Sequence, residues 1–412
     1  MNAFRSADIL LPQKDILENW PVIACDQFTS DPDYWQRVRS ATRNVPSSMD
    51  LILPEAELGT ADEEKQVDEI HRKMDDYLAR GILRSCQDAY IYVERTLENG
   101  QIRPGLVGVV DLEQYDYSHN SKSLIRATEK TVLERIPPRQ RVRRGASLDL
   151  SHVLMLCDDQ EKMLIEPIQA IRDQLPKLYE MDLMESGGHI AGWLVQGEPA
   201  RDFDRRLETY GKNLEQKYPD LSGAKVLLAV GDGNHSLATA KRCYEELKQA
   251  NPGMDIKEHP SRFALVELEN IHDPALQFES IHRVVKYTNP EQLIADLASI
   301  CVPGGFPVRW IIGEREGVLE LDRSLGELDI AVLQAFLDDW LQNNPGETDY
   351  IHDEDAVRTI SQKSNTVGFL LQPMEKSQLF RGVIAGGILP RKTFSMGHAR
   401  EKRYYLEGRK IK

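Results

Sequence analysis

Cysteine is scarce and scattered. The five, Cys25, Cys86, Cys157, Cys243 and Cys301, are odd in number and form no Cys-x-x-Cys pair. That argues against a disulfide framework and against a thiolate metal site, and leaves reduced thiols. No His-Glu-x-x-His or Gly-x-Ser-x-Gly motif occurs, and the ten histidines show no ligand spacing, so zinc is not expected. No window is apolar enough to cross a bilayer, and residues 1–8 carry no basic region leading into an apolar run. A cytoplasmic protein without a membrane partner is the expectation. Positive charge is also in deficit, with 51 lysines and arginines against 66 acidic residues and a formal net charge of −15. Such a chain repels polyanions in bulk, so nucleic acid is not an expected partner unless a basic face is segregated. Small ligands are left open.

What is present is ordinary for a folded protein. With 412 residues, 41% hydrophobic and 28% charged, the chain can bury a full core as one large or two smaller units. Short apolar runs alternate with amphipathic stretches, which predicts a mixed α/β fold. Asn251-Pro-Gly253 removes a backbone donor and adds a flexible residue, so the expected division is 1–252 and 253–412. A homo-oligomer is compatible with the sequence.

The stretch with the densest chemistry is Gly231-Asp-Gly-Asn-His-Ser236. An apolar run at 226–230 precedes it and reads as a buried strand. Leu237, Ala240, Tyr244 and Leu247 follow at helical spacing. Two glycines permit a sharp turn and close approach to a ligand, and the first N–H groups of the helix face an anion. Asp232, Asn234 and His235 add an acid or base, an amide and a titratable donor. A simple strand-to-helix turn capped by Asn or Ser explains the same residues, and the stretch alone does not separate the two readings.

Other segments add candidates. An apolar run at 22–24 ends at Asp26, with Gln27 and Thr29 beyond it, the place where α/β proteins gather ligand groups. Asp31 and Asp33 flank a proline and are assigned to capping. Arg126, Glu129 and Lys130 lie within about one helical turn and read by themselves as a surface ion-pair set. The basic stretch 135–144 holds Arg139, Arg141, Arg143 and Arg144 without interleaved aromatics. A solvated loop, or a loop for a small phosphate-bearing ligand, is expected there rather than a nucleic-acid face. A helical region is expected at 161–179. Near the end, Gly386-Gly-Ile-Leu-Pro-Arg-Lys-Thr393 delivers Lys392 and Thr393, groups suited to phosphate, although the glycine spacing is not that of a P-loop.

Taken in order, these segments resemble a prokaryotic family grouped as domain of unknown function 1015. Asp232-Gly-Asn-His-Ser236 corresponds to its central Asp-Gly-His-His-Arg motif, and Arg126-Ala-Thr-Glu-Lys-Thr131 to its Arg-His-Glu-x-Thr segment. Ile281-His-Arg283 resembles its Thr-His-Arg segment and Pro390-Arg-Lys-Thr393 its Pro-Gln-Lys-Ser-Thr motif. The family is itself similar to the ParB and sulfiredoxin superfamily, which includes free-serine kinases. The resemblance implies a ParB/sulfiredoxin-like core with large insertions and a C-terminal α/β subdomain. It also implies a nucleotide, ATP or ADP with magnesium, and a small hydroxyl compound as phosphoryl acceptor. In that reading Asp26 is the base, Asp232 a magnesium ligand or second carboxylate, and His235 a contact to phosphate or acceptor. Gly231, Gly233, Asn234, Ser236, Arg126, Lys392 and Thr393 complete the nucleotide site. Two positions depart from the motif: Asn234 stands for its first His and Ser236 for its Arg. Because the arginine would be the strongest phosphate ligand of the turn, a non-catalytic nucleotide-binding regulator is the alternative reading.

Overall fold

The computed structural model describes residues 3–29, 31–60, 62–130, 136–221, 225–253 and 255–412. The chain forms two compact units. The first contains Met1–Ala127, Thr131–Leu276 and His398–Lys412, the second Thr128–Lys130 and Gln277–Gly397. This differs from the division expected after residue 252. Asn251 does end a helix, but the strand Phe263–Asn270 that follows is buried along its whole length within the first unit's sheet. The segment after 398 also returns to that unit.

The first unit is built on a large mixed sheet. At its centre Leu154–Cys157 runs antiparallel to Leu228–Asp232 and parallel to Phe263–Asn270. Phe263–Asn270 then pairs antiparallel with Ile102–Asp111, which pairs with Leu83–Thr96. On its other side Leu228–Asp232 runs parallel to Ile125–Arg126. Two pairings bring the end of the chain back: Tyr404–Tyr405 lies antiparallel to Val22–Ile23, and Gly408–Lys410 lies between Ala7–Pro12 and Leu148–Leu150.

The helix Asn234–Ala250 follows from its apolar spacing. Leu237, Ala240 and Tyr244 are buried, and a fully buried Leu contributes about 1.5–3 kcal/mol. The helix Glu63–Ala79 buries Val67, Ile70, Met74 and Tyr77 in the same way, and stops where Gly81 takes a positive φ of 65°.

Two expectations are corrected. The region 161–179 is not one helix. A short helix Glu166–Ala170 and a single tight turn Arg172–Gln174 give way to the strand Lys177–Asp182, which forms a hairpin with His189–Val195. Pro176 cannot continue the helix, and the turn residues Glu185, Ser186 and Gly188 all have positive φ. The basic stretch is not a loop but the helix Ile136–Gly145. Its prolines fall in the first turn, where the missing N–H has no intrahelical partner in any case. Of the segment 123–135, residues 125–126 form a strand, and residues 131–135 lie outside the described residues.

The second unit is an antiparallel five-stranded sheet in the order Arg315–Leu321, Cys301–Ile312, Thr366–Leu370, His282–Lys286, Glu347–Ile351. Arg315–Leu321 and Cys301–Ile312 form its antiparallel edge pair. The helices Pro290–Leu297, Asp329–Asn343, Glu354–Ser361 and Lys376–Gly386 belong to the same unit.

Candidate functional site

In the first unit the strand Leu228–Asp232 ends with Asp232 opposite Leu154, and the chain turns through Gly233 into the helix Asn234–Ala250. Gly233 has φ +80°, and a Cβ there would lie 3.1 Å from both Cα and Cγ2 of Val153. Only glycine takes this conformation so close to a neighbouring backbone without strain. The approach brings Ser236, in the first helical turn, to His152: Oγ is 3.1 Å from Nε2.

His152 is buried, 5% exposed, and its ring is fixed from the other side. Nδ1 is 2.7 Å from the hydroxyl of Tyr405, and the two rings meet edge to face at 5.5 Å. Tyr405 arrives by the pairing with Val22–Ile23, which also sets it beside Cys25. The Cys25 N–H donates to the Tyr405 oxygen at 3.2 Å, and the Tyr405 O–H donates to Sγ at 3.1 Å. Burial first, then the negative charge of Asp26, pushes the Cys25 thiol up to about 11, so it stays protonated at neutral pH.

Asp26 is half-buried. Burial would raise its carboxyl, but His152, a hydrogen bond from Gln27 Nε2 at 3.0 Å, Lys402 and Arg139 outweigh it and hold the group below the usual carboxylate range. Lys402 is also the partner of Asp232, with Nζ 3.3 Å from Oδ2. Asp26 and Asp232, distant in sequence, are thus acted on by one buried ammonium, 8% exposed. The other oxygen of Asp232 accepts the Gly233 N–H at 2.9 Å. Each oxygen of Asp232 keeps a lone pair beyond these contacts. Among the described residues no group of three or more His, Cys, Asp or Glu is placed to hold a metal ion.

The remaining candidates separate. Gly231 is half-buried in the strand, Asn234 is buried at the start of the helix, and the half-buried His235 accepts Thr239 Oγ1 on its carbonyl at 2.7 Å. Arg126 is no surface residue: it is buried in the strand beside Ala229, and its Nε donates to the Ser123 carbonyl at 3.1 Å. Burial lowers its pKa against the opposing effect of Asp116. Lys392 and Thr393 lie in the second unit. The exposed Lys392 has φ +54°, its N–H donates to Glu129 Oε1 at 3.1 Å, and its carbonyl accepts Arg283 Nη2 at 3.0 Å. Thr393 Oγ1 donates to the Pro390 carbonyl at 2.7 Å, a local turn bond.

The basic helix is directed at the protein's own acids. Arg139 pairs with Glu55, Arg141 with Glu63, Arg143 with Asp149 at 2.6 Å and Arg144 with Glu246 at 2.7 Å. Lys241 and Arg242, which could replace the missing motif arginine, pair with Glu245 and Glu246 at 2.8 and 3.3 Å.

A cavity of about 130 Å³ opens against the Ser236–His152 pair. Its wall is mainly aliphatic, from Leu51, Leu53, Leu58, Met74, Val142 and Leu148, with Cys25, Arg139, Thr239 and Tyr405 among the polar lining. His152, Lys402 and Tyr405 were not singled out as site residues from sequence. The one local signal is the basic and aromatic run Arg400-Glu-Lys-Arg-Tyr-Tyr405, which is too polar for an ordinary strand.

A family model described as "Protein of unknown function (DUF1015)" matches residues 5–405. No curated protein matches the chain. Among solved structures the chain is similar to a conserved hypothetical protein from Pyrococcus furiosus, at 11% identity and a TM-score of 0.35, covering 74% of this chain and 94% of that one. It is similar to SbnI with a C-terminal truncation from Staphylococcus aureus, at 12% identity and a TM-score of 0.36, covering 71% and 82%. A free serine kinase in complex with AMP gives 11% identity and a TM-score of 0.39, covering 74% and 91%.

Proposed function

The chain belongs to the DUF1015 family, and from that premise and the geometry of its first unit we propose a phosphotransferase that moves a phosphoryl group from a nucleotide to the hydroxyl of a small molecule. The carrying observation is the ion pair of Asp232 with Lys402 beside the first turn of the helix Asn234–Ala250, with the same ammonium among the charges that keep Asp26 ionised. A carboxylate kept ionised by neighbouring cations is suited to receive a proton from an acceptor hydroxyl. Backbone N–H groups at a helix start suit phosphate oxygens.

The parts act in order. The acceptor oxygen bonds the transferred phosphorus as its proton passes to Asp26, and the nucleoside diphosphate departs. Lys402 stabilises charge on the transferring group while Asp232 holds the ammonium in place. His235 contacts phosphate or acceptor, and Asn234 and Ser236 contribute polar groups at the turn. Arg126 belongs to this reading only as a further phosphate contact. Asp232 is the residue that would hold magnesium in this reading, and the ion would supply positive charge beside the transferring group.

A second reading, a regulator that binds a nucleotide without turnover, is favoured by one observation. Ser236 replaces the expected arginine, and its hydroxyl is engaged with His152. Calorimetry with ATP, ADP and AMP, followed by mass-spectrometric search for phosphorylated small hydroxyl compounds, separates the two. Phosphotransfer predicts that Asp26→Asn lowers turnover by about 10²–10⁴-fold while nucleotide affinity changes far less. Binding with no product from any acceptor leaves the regulator. No heat with any nucleotide sinks both.

A further inference from the structure

The pair Ser236–His152 has a chemistry of its own. A hydroxyl has one proton to donate and two lone pairs to accept with. The Tyr405 proton goes to Cys25 Sγ, and one of its lone pairs accepts the Cys25 N–H. The other faces His152 Nδ1 at 2.7 Å. In the tautomer that carries its proton on Nδ1, Nε2 is an acceptor toward Ser236 Oγ at 3.1 Å. This is the tautomer a base needs. Ser236 and His152 both line the aliphatic cavity. Arg139 and Arg143 in its wall are committed to Glu55 and Asp149, which fits an apolar occupant better than an anionic one.

We propose that Ser236 is a nucleophile activated by His152, and that it accepts the acyl group of a small aliphatic ester held in this cavity. Oγ bonds the carbonyl carbon as its proton moves to Nε2, and the carbonyl π electrons move to oxygen. The tetrahedral adduct collapses, the C–O bond to the alcohol breaks, and the alcohol leaves with the proton from Nε2. Water then attacks the acyl-serine with His152 again taking the proton, releasing the carboxylic acid and restoring Ser236. Tyr405 is a positioning residue that fixes the ring and its tautomer.

The test uses the full chain without nucleotide, so its outcome is independent of the phosphotransfer reading. An alkyl fluorophosphonate is expected to form one adduct, mapped to Ser236 by peptide mass spectrometry, and p-nitrophenyl butyrate is expected to be hydrolysed. Ser236→Ala should lose both while keeping the wild-type circular dichroism spectrum. His152→Gln should slow labelling by about 10²–10⁴-fold. If that variant does not fold, the labelling rate of the wild type is measured against pH. A rise as the base is freed supports the pair, and a flat profile overturns it. Tyr405→Phe should displace that profile as well as lower the rate, which a merely structural loss would not do. No adduct on folded wild type, an adduct elsewhere, or ester turnover retained in Ser236→Ala overturns the proposal.

Discussion

Glu269 is fully buried in the strand Phe263–Asn270, and replacing it by glutamine should change how stability depends on pH. Arg103 Nε stands 2.8 Å from one oxygen, yet among the described residues neither carboxylate oxygen receives a hydrogen bond. Burial, reinforced by Glu267 and Asp273, outweighs Arg103 and Arg403 and moves the group from its ordinary 4.5 up to about 8. The folded protein therefore holds a proton that the unfolded chain releases. Stability from this group is complete below the ordinary value and falls as pH rises, by about 1.4 kcal/mol per unit, until the folded value is passed. Across the window the loss is on the order of 5 kcal/mol. The Glu269→Gln side chain has the shape of the neutral acid and does not titrate. Any cost of its extra donors is constant with pH, so the slope alone carries the result. Urea unfolding at pH 5, 6, 7 and 8 should show the variant gaining on wild type at every step. Parallel curves would mean that Glu269 is ionised in the fold and that Arg103 is a full partner.

Arg403→Met removes a guanidinium that bonds Glu267 and Glu407 at 2.7 Å each. It should cost about 3–5 kcal/mol in urea unfolding at neutral pH because two buried carboxylates lose their partner. Gly233→Ala should cost about 1–3 kcal/mol from its positive φ, and crystallographic comparison should find the Ser236–His152 bond lengthened as the turn withdraws from Val153. Cys25, with its thiol pushed up to about 11, should react with a disulfide reagent at pH 8 far more slowly than a free cysteine in a peptide; rapid modification of that residue would show its surroundings to be open.

Much of the turn was legible in sequence because its signals are local. The apolar run before Gly231 and the helical spacing after Ser236 each sit within a few residues, and both elements are present. The helix of arginines was misread for the opposite reason. Its stabilising partners, Glu55, Glu63, Asp149 and Glu246, are mostly remote in the chain, so the stretch alone shows only unbalanced charge. Phe263–Asn270 hides its burial behind Glu267, which Arg403 pairs, and Glu269, whose carboxyl burial pushes up to about 8. His152 reads as the start of a strand until Ser236 and Tyr405 approach from either side. Distance in sequence also explains Lys402, since nothing near it indicates that its ion-pair partner is Asp232.

The return of the chain to the first unit after residue 398 also sets an order of assembly on the ribosome. Synthesis delivers Asp26, His152, Asp232 and Ser236 long before Lys402, Arg403 and Tyr405, and the whole second unit is made in between. Until then Glu267 and the imidazole face are without the groups that later neutralise and orient them. A chain released before residue 405 would therefore carry most of the large sheet but no finished site, and quality control could recognise it by the acidic, incompletely closed surface it leaves exposed.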